Sequence, residues 1–222
     1  MDWPWFGLAN TIFVAIGVFT FSISGALLAV EKRMDVVGML GLAAITAVGG
    51  GVIRDLLIGA PPVAFVDVWM IGMAMLGAVA VLFLNRVMQK LEKPVLVFDA
   101  VGLGIFCVQA TIKAMEYGFN AWGAVLIGTI TGIGGGILRD VLANDIPAVF
   151  RRESRLYLVP ALVGAGLTAL LVELGFGTPL ALAPVAVLVV VVRLLSEAFD
   201  WRMPHPKTTL IQVVAEQSRN QR

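Results

Sequence analysis

Two stretches of this chain carry the same unusual phrase. Gly49-Gly50-Gly51-Val52-Ile53-Arg54-Asp55 recurs as Gly134-Gly135-Gly136-Ile137-Leu138-Arg139-Asp140, offset by 85 positions, and both lie in apolar surroundings. A glycine inside a helix costs about 1 kcal/mol against alanine. An arginine inside a membrane segment costs about 2.5–3.5 kcal/mol on the insertion scale. A chain that bears both costs twice, at matching positions, is using them. Successive glycines suit an unwound helical turn whose freed carbonyl oxygens replace part of a cation's hydration shell. The neighbouring Arg and Asp suit ion pairing or contact with a freed backbone group. Asp99 and Lys113 are two further charges in an apolar segment that bear on the same chemistry.

The elements that must position these residues are membrane spans. The 222 residues are 59% hydrophobic and 14% charged, and the charges are clustered. Long runs with at most one charge cover Trp3–Val30, Val36–Ile53, Val68–Asn85, Pro94–Ile112 (with Asp99), Tyr117–Leu138, Leu156–Val172 and Leu174–Val192. Each is close to the roughly 20 residues that cross the hydrocarbon of a bilayer. The expectation is an all-α membrane protein with seven transmembrane helices. The first run lacks a basic leading region and exceeds the h-region of a secretory signal. Trp3 and Trp5 suit an interfacial anchor instead.

With seven spans, the loops after the first, third and fifth share a side with the C-terminus. They hold Lys32 and Arg33, then Arg86, Lys90 and Lys93, then Arg151, Arg152 and Arg155. Arg193, Arg202, Lys207, Arg219 and Arg222 follow on the same side, whereas the other side holds only Lys113. The positive-inside rule places the N-terminus outside and the C-terminus in the cytoplasm. A multi-pass protein of the plasma, or inner, membrane is expected.

The 85-residue offset reaches beyond the doubled phrase. Met34–Leu57 set against Phe119–Leu142 gives nine identities in 24 positions, and Gly17/Gly102, Pro62/Pro147 and Phe65/Phe150 extend the match. Self-similarity of this kind marks a duplicated unit. A unit of three helices is odd, so its second copy enters the membrane from the opposite face, as in many transport proteins. The chain then divides into a first three-helix repeat (1–93), a second inverted repeat (94–177), a seventh helix (178–199) and a polar cytoplasmic tail (200–222). Inversion brings the two glycine breaks toward one cavity.

Adjacent residues on a helix point about 100° apart, so Arg54 with Asp55, and Arg139 with Asp140, are expected to find partners elsewhere. Asp99 and Arg139 fall near the same membrane face and can pair, either as a functional pair or as a clamp that holds the break. Lys113 is expected to snorkel to the interface; the alternative is a charge at the external mouth that gates or senses voltage. Gly25, Gly72, Gly77, Gly164 and Gly166 are read as close-packing positions, and close packing is also the alternative to a break at the two triplets.

No enzyme constellation is present. His205 is the single histidine and Cys107 the single cysteine, and no Gly-Lys-Ser/Thr phosphate loop or metal-ligand spacing occurs. Neither a cofactor nor nucleic acid is expected as a partner. Monovalent cations and membrane lipid are.

The doubled phrase, Phe98-Asp99-Ala100-x-Gly102-Leu103 and the three-plus-three-plus-one helix count resemble the prokaryotic branch of the trimeric intracellular cation channel family over roughly residues 8–198. Bacterial members of that family were long grouped as uncharacterised membrane proteins or glycine transporters. The resemblance implies a homotrimer with a pore in each protomer, bounded by the second and fifth helices, that passes potassium and sodium. Animal relatives bear a lysine-containing motif where this chain keeps glycines, so their voltage and calcium regulation does not transfer. The rival function is a secondary transporter of a small zwitterion such as glycine, since broken helices also present N–H groups to a carboxylate.

Overall fold

The computed structural model describes residues 4–88, 93–151 and 156–201. Trp3, Lys90, Arg152, Arg155 and the tail from 202 onward, His205 included, lie outside the described residues, and so do parts of the expected anchor and charge asymmetry. The chain is all-helical: α1 (Pro4–Glu31), α2 (Val36–Leu57), α3 (Val63–Val66), α4 (Val68–Met88), α5 (Pro94–Glu116), α6 (Ala121–Leu142), α7 (Leu158–Glu173) and α8 (Pro179–Ala198). Among the described residues, α1, α2, α5, α6 and α8 are long and apolar enough to cross a membrane, and Val68–Phe83 and Leu158–Glu173 are shorter apolar helices. This is an all-helical membrane protein. The four-residue α3 has no signal in the charge pattern.

The punctuation of α2 and α6 follows from local chemistry. Asp35 caps α2 by accepting from the Gly38 amide at 2.7 Å, and Asn120 caps α6 by accepting from the Gly123 amide at 2.8 Å. A short carboxylate or amide oxygen is the usual partner for these otherwise unpaired first-turn donors. Left-handed residues stand just outside both helices: Arg33 (φ 56°) and Gly118 (φ 85°) before them, Gly59 (φ 72°) and Asn144 (φ 57°) after them. Both pairs keep the 85-residue offset. Gly118 and Gly59 occupy this region without Cβ strain, whereas asparagine tolerates it.

Two helix groups meet across the molecule. In one, α1 packs on α2 and α4; in the other, α5 packs on α6, α7 and α8, and the groups join through α1 against α5 and α2 against α6. Phe21 and Phe106 stack at that junction with ring centroids 5.3 Å apart. Ile23, Leu27, Met39, Leu42 and Val81 form one buried cluster, and Leu103, Cys107, Leu182 and Val189 another. Lipid supplies no hydrophobic drive between helices, so small residues and close backbones carry much of this packing. A Cβ on Gly25 would lie 2.9 Å from the Leu42 carbonyl oxygen, and one on Gly77 would lie 2.8 Å from that of Phe19. A Cβ on Gly164 would instead collide with the Val189 side chain. A methyl added at Gly72 or Gly166 would meet nothing within 4 Å, so these two do not serve packing within the chain.

One expectation is corrected here. Both α2 and α6 run as continuous helices through Gly49–Gly51 and Gly134–Gly136, with no unwound turn. The triplets serve an approach of backbones instead. A Cβ on Gly50 would overlap the Thr131 carbonyl oxygen, and one on Gly135 would lie 2.5 Å from the Thr46 carbonyl oxygen. The two helices cross with Gly50 and Gly135 in mutual backbone contact.

Candidate functional site

On either side of that crossing, α2 and α6 each end in a buried ion cluster. Near the end of α2, Arg54 donates through Nε to Asp55 Oδ1 at 2.8 Å, and its Nη2 lies 2.7 Å from the same oxygen. Lys113 of α5 also donates to Asp55 Oδ1, at 2.8 Å. The second carboxylate oxygen accepts from the Val63 amide at 2.9 Å, which ties α3 to α2. Asp55 is 1% exposed and Arg54 7%.

The α6 cluster repeats this plan and elaborates it. Arg139 donates through Nε to Asp140 Oδ1 at 2.9 Å, with Nη2 at 2.8 Å from that oxygen. Asp140 Oδ2 accepts from the Ala148 amide at 2.8 Å. Each aspartate thus fastens the amide eight residues on, directly after Pro62 or Pro147. Here the extra partner is acidic: Arg139 Nη1 donates to Asp99 Oδ1 of α5 at 2.7 Å, and also to Ser24 Oγ of α1. Asp99 is 2% exposed, and Arg139 and Asp140 are each 4%.

The sequence-predicted residues therefore fall into three places. Gly50 and Gly135 meet at the crossing. Arg54, Asp55 and Lys113 form one cluster, and Asp99, Arg139 and Asp140 the other. The expected Asp99–Arg139 pair is present. Two expectations are corrected. Each arginine does bond the aspartate beside it, because a long guanidinium side chain curls back across the 100° that separates their Cβ directions. Lys113 does not run outward to an interface: it turns to Asp55, with Nζ 5.8 Å from the Tyr117 ring centroid. Gly49, Gly51, Gly134 and Gly136 flank the crossing, where Gly49 meets Leu138 and Gly51 has open space up to Arg54 Nη2 at 3.9 Å.

Charge differs between the clusters. The Arg54 cluster gathers two cations on one carboxylate, and the Arg139 cluster gathers two carboxylates on one guanidinium. Both extra charges ride on α5, where Asp99 and Lys113 stand roughly 21 Å apart at 1.5 Å per residue. Their counterparts on α1 at the 85-residue offset are Val14 and Leu28. Fixed charges of opposite sign along one helix give the two clusters opposite net charge, so a field runs between them along α5.

Sequence reasoning missed Ser24, Tyr157 and Arg193. Tyr157 precedes α7 and presents its hydroxyl beside Gly136, where a Cβ would collide with it and would lie 3.2 Å from Asp99 Oδ1. Arg193 of α8 lies over the Tyr157 ring, 4.9 Å from its centroid. Nothing in the local sequence marks these residues, since the contacts join segments far apart in the chain.

Comparison with known proteins agrees with this architecture. The family model described as glycine transporter matches residues 11–86 and 96–173, close to the two halves that the offset defines. A UPF0126 membrane protein of Deinococcus radiodurans is 42% identical over 157 residues, covering 70% of this chain and 73% of the relative. The UPF0126 inner membrane protein YadS of Escherichia coli K12 is 38% identical, covering 88% and 94%. The crystal structure of the trimeric intracellular cation channel orthologue from Rhodobacter sphaeroides superposes with a TM-score of 0.79 at 32% identity, covering 86% of this chain and 98% of that one.

Proposed function

The chain belongs to the UPF0126 membrane proteins of the glycine-transporter family model, the prokaryotic branch of the trimeric intracellular cation channels, and on that premise we propose that it is a passive monovalent-cation channel of the inner membrane. It passes potassium and sodium along a path in each protomer of a homotrimer. The path runs between α2 and α6 beside α5. Seven helices span the bilayer, as two inverted three-helix units (α1, α2, α4 and α5, α6, α7) plus α8, with the N-terminus outside and the C-terminus in the cytoplasm.

The observation that carries this reading is the placement of two buried Arg–Asp clusters astride the glycine crossing. Intramembrane ionisable groups are expensive and mark ion pathways. Here they stand at both ends of the helix pair that the Gly-Gly-Gly-x-x-Arg-Asp phrase brings together, and α5 supplies a charge to each. The crossing itself leaves no room for an ion between Gly50 and Gly135, so conduction requires α2 and α6 to separate there. Across the same contact Leu138 of α6 sits against Gly49 and Ile53 of α2 sits against Gly134, so parting the helices also unseats these two side chains. Unbroken α2 and α6 remove both the half-helix ends that the transporter alternative needs and the freed carbonyl oxygens expected to meet a cation, so the channel reading stands on the charged clusters and not on the backbone.

Purified protein in planar bilayers tests this directly. In symmetric potassium chloride the expected result is current proportional to voltage, with little shift in reversal potential when sodium replaces potassium on one side and no current carried by choline. Saturable glycine counterflow without such current would reverse the assignment.

A further inference from the structure

Midway between the two charged clusters the interior turns apolar. Phe106 of α5 stands seven residues after Asp99 and seven before Lys113. A seven-residue step returns to nearly the same face of a helix, with a drift of about 20°, and places the ring roughly 10 Å from either charge along the axis. Phe106 stacks on Phe21 of α1 with the ring planes 24° apart, and both are buried, at 3% and 1% exposure. The buried side chains gathered around the pair are Val18, Ala47, Met70 and Ala74. None of them carries a charge or an oxygen.

The pair belongs to the doubled pattern of the chain. Phe21 and Phe106 are 85 residues apart, as are Gly17 and Gly102 on the same two helices. Each ring lies over the glycine of the other helix: a Cβ on Gly102 would collide with the Phe21 ring, and one on Gly17 would lie 3.2 Å from the Phe106 ring. A Cβ on Gly135 would lie 3.0 Å from the Phe21 ring, so this ring reaches the crossing of α2 and α6 as well. One aromatic stack thereby fills the meeting of α1 with α5 and abuts that of α2 with α6. On these glycines no Cβ hinders a ring from turning.

We propose that the Phe21–Phe106 stack is the gate of the cation path. With the rings stacked, the space between the Arg54 and Arg139 clusters is filled and dry. Conduction requires the rings to turn aside as α2 and α6 part. An apolar constriction stops ions by excluding water, because a cation cannot leave its hydration shell where no oxygen replaces it. The two clusters can then hold opposite charge on either side of a closed barrier. This inference rests on the channel reading and adds to it the side chains that hold the path shut.

Single-channel recording of the full-length protein in symmetric potassium chloride tests the gate with Phe21→Leu, Phe106→Leu, the two combined, and Phe106→Ser. An aromatic pair shifts the equilibrium it favours by about two- to ten-fold. Each leucine variant should therefore raise the ratio of open to closed time by that factor, with unit conductance unchanged. The combined variant should fall short of the product of the single effects, since either substitution already dissolves the stack. Phe106→Ser, which lets water in, should exceed Phe106→Leu; should it fail to fold, the leucine variants decide alone. Rings that serve packing only would give variants that melt earlier and open no more often. Current in the unsubstituted protein with no rise in the leucine variants overturns the gate and keeps the channel. Silence in the unsubstituted protein and in every variant removes both, whereas current confined to the variants upholds the gate.

Discussion

Gly50→Ala and Gly135→Ala are each expected to destabilise the protein by about 2 kcal/mol, within the range for overpacking a filled interior, and Gly51→Ala is expected to be neutral or stabilising. The three positions lie within the same two matched triplets, so composition does not separate them. Geometry does. A methyl on Gly135 would lie 2.5 Å from the Thr46 carbonyl oxygen and 3.0 Å from the Phe21 ring, and one on Gly50 would overlap the Thr131 carbonyl oxygen. Backbone cannot swing aside as a side chain can, so α2 and α6 must part along their whole contact. A methyl on Gly51 meets nothing nearer than Arg54 Nη2 at 3.9 Å, which leaves the helix-propensity gain of about 1 kcal/mol unopposed. Gly49→Ala should fall between, because it meets the flexible end of Leu138. Thermal unfolding in detergent, followed by size-exclusion fluorescence, reads the order. Equal losses at Gly50 and Gly51 would show that the crossing is not what the glycines serve. In bilayers the two crossing variants should also shift open probability, since on the proposed reading ions pass only when α2 and α6 separate at this contact.

Much of this architecture is legible from charge and spacing, and the misreadings have physical causes. The limits of α2, α5 and α8 follow from Asp35, Pro94 and Pro179, because caps and first-turn prolines act within a few residues of their own position. The Asp99–Arg139 pair follows from counting membrane passes: the start of α5 and the end of α6 must share a face. The same count does not place Lys113, because it does not say which helix ends are neighbours, and Asp55 on α2 is brought to it by the meeting of the two halves. The glycine triplets mislead for another reason. A glycine run destabilises a helix in water, where freed N–H and C=O groups bond solvent. In a membrane they have no such alternative, so the helix persists and the missing side chains become a means of approach. Tyr157 lies beyond reach of the sequence altogether, since its ring is placed by α8 and its hydroxyl by the gap at Gly136.

The second large effect is expected from Arg139→Met, and its size should exceed that of Arg54→Met although the two arginines occupy matching positions. Removing one partner of a buried ion pair costs about 3–5 kcal/mol, because the other charge is left without compensation. Arg139→Met strands two carboxylates, Asp99 and Asp140, each 4% exposed or less. Arg54→Met strands none, since Lys113 Nζ remains 2.8 Å from Asp55 Oδ1 and the Val63 amide still holds the other oxygen. The expected outcome is a loss near that full range for Arg139→Met, against about 1 kcal/mol for Arg54→Met, the scale of the hydrogen bonds given up. A double-mutant cycle isolates the cause. Asp99→Asn combined with Arg139→Met should recover part of the loss, because one of the two stranded charges is gone, and an interaction energy of about 1–3 kcal/mol of that sign is expected for groups in direct contact. If instead the two arginine variants unfold at the same temperature, Lys113 does not neutralise Asp55 and the opposed charge balance of the two clusters falls. If the cycle is additive, Asp99 and Arg139 are neighbours without being partners.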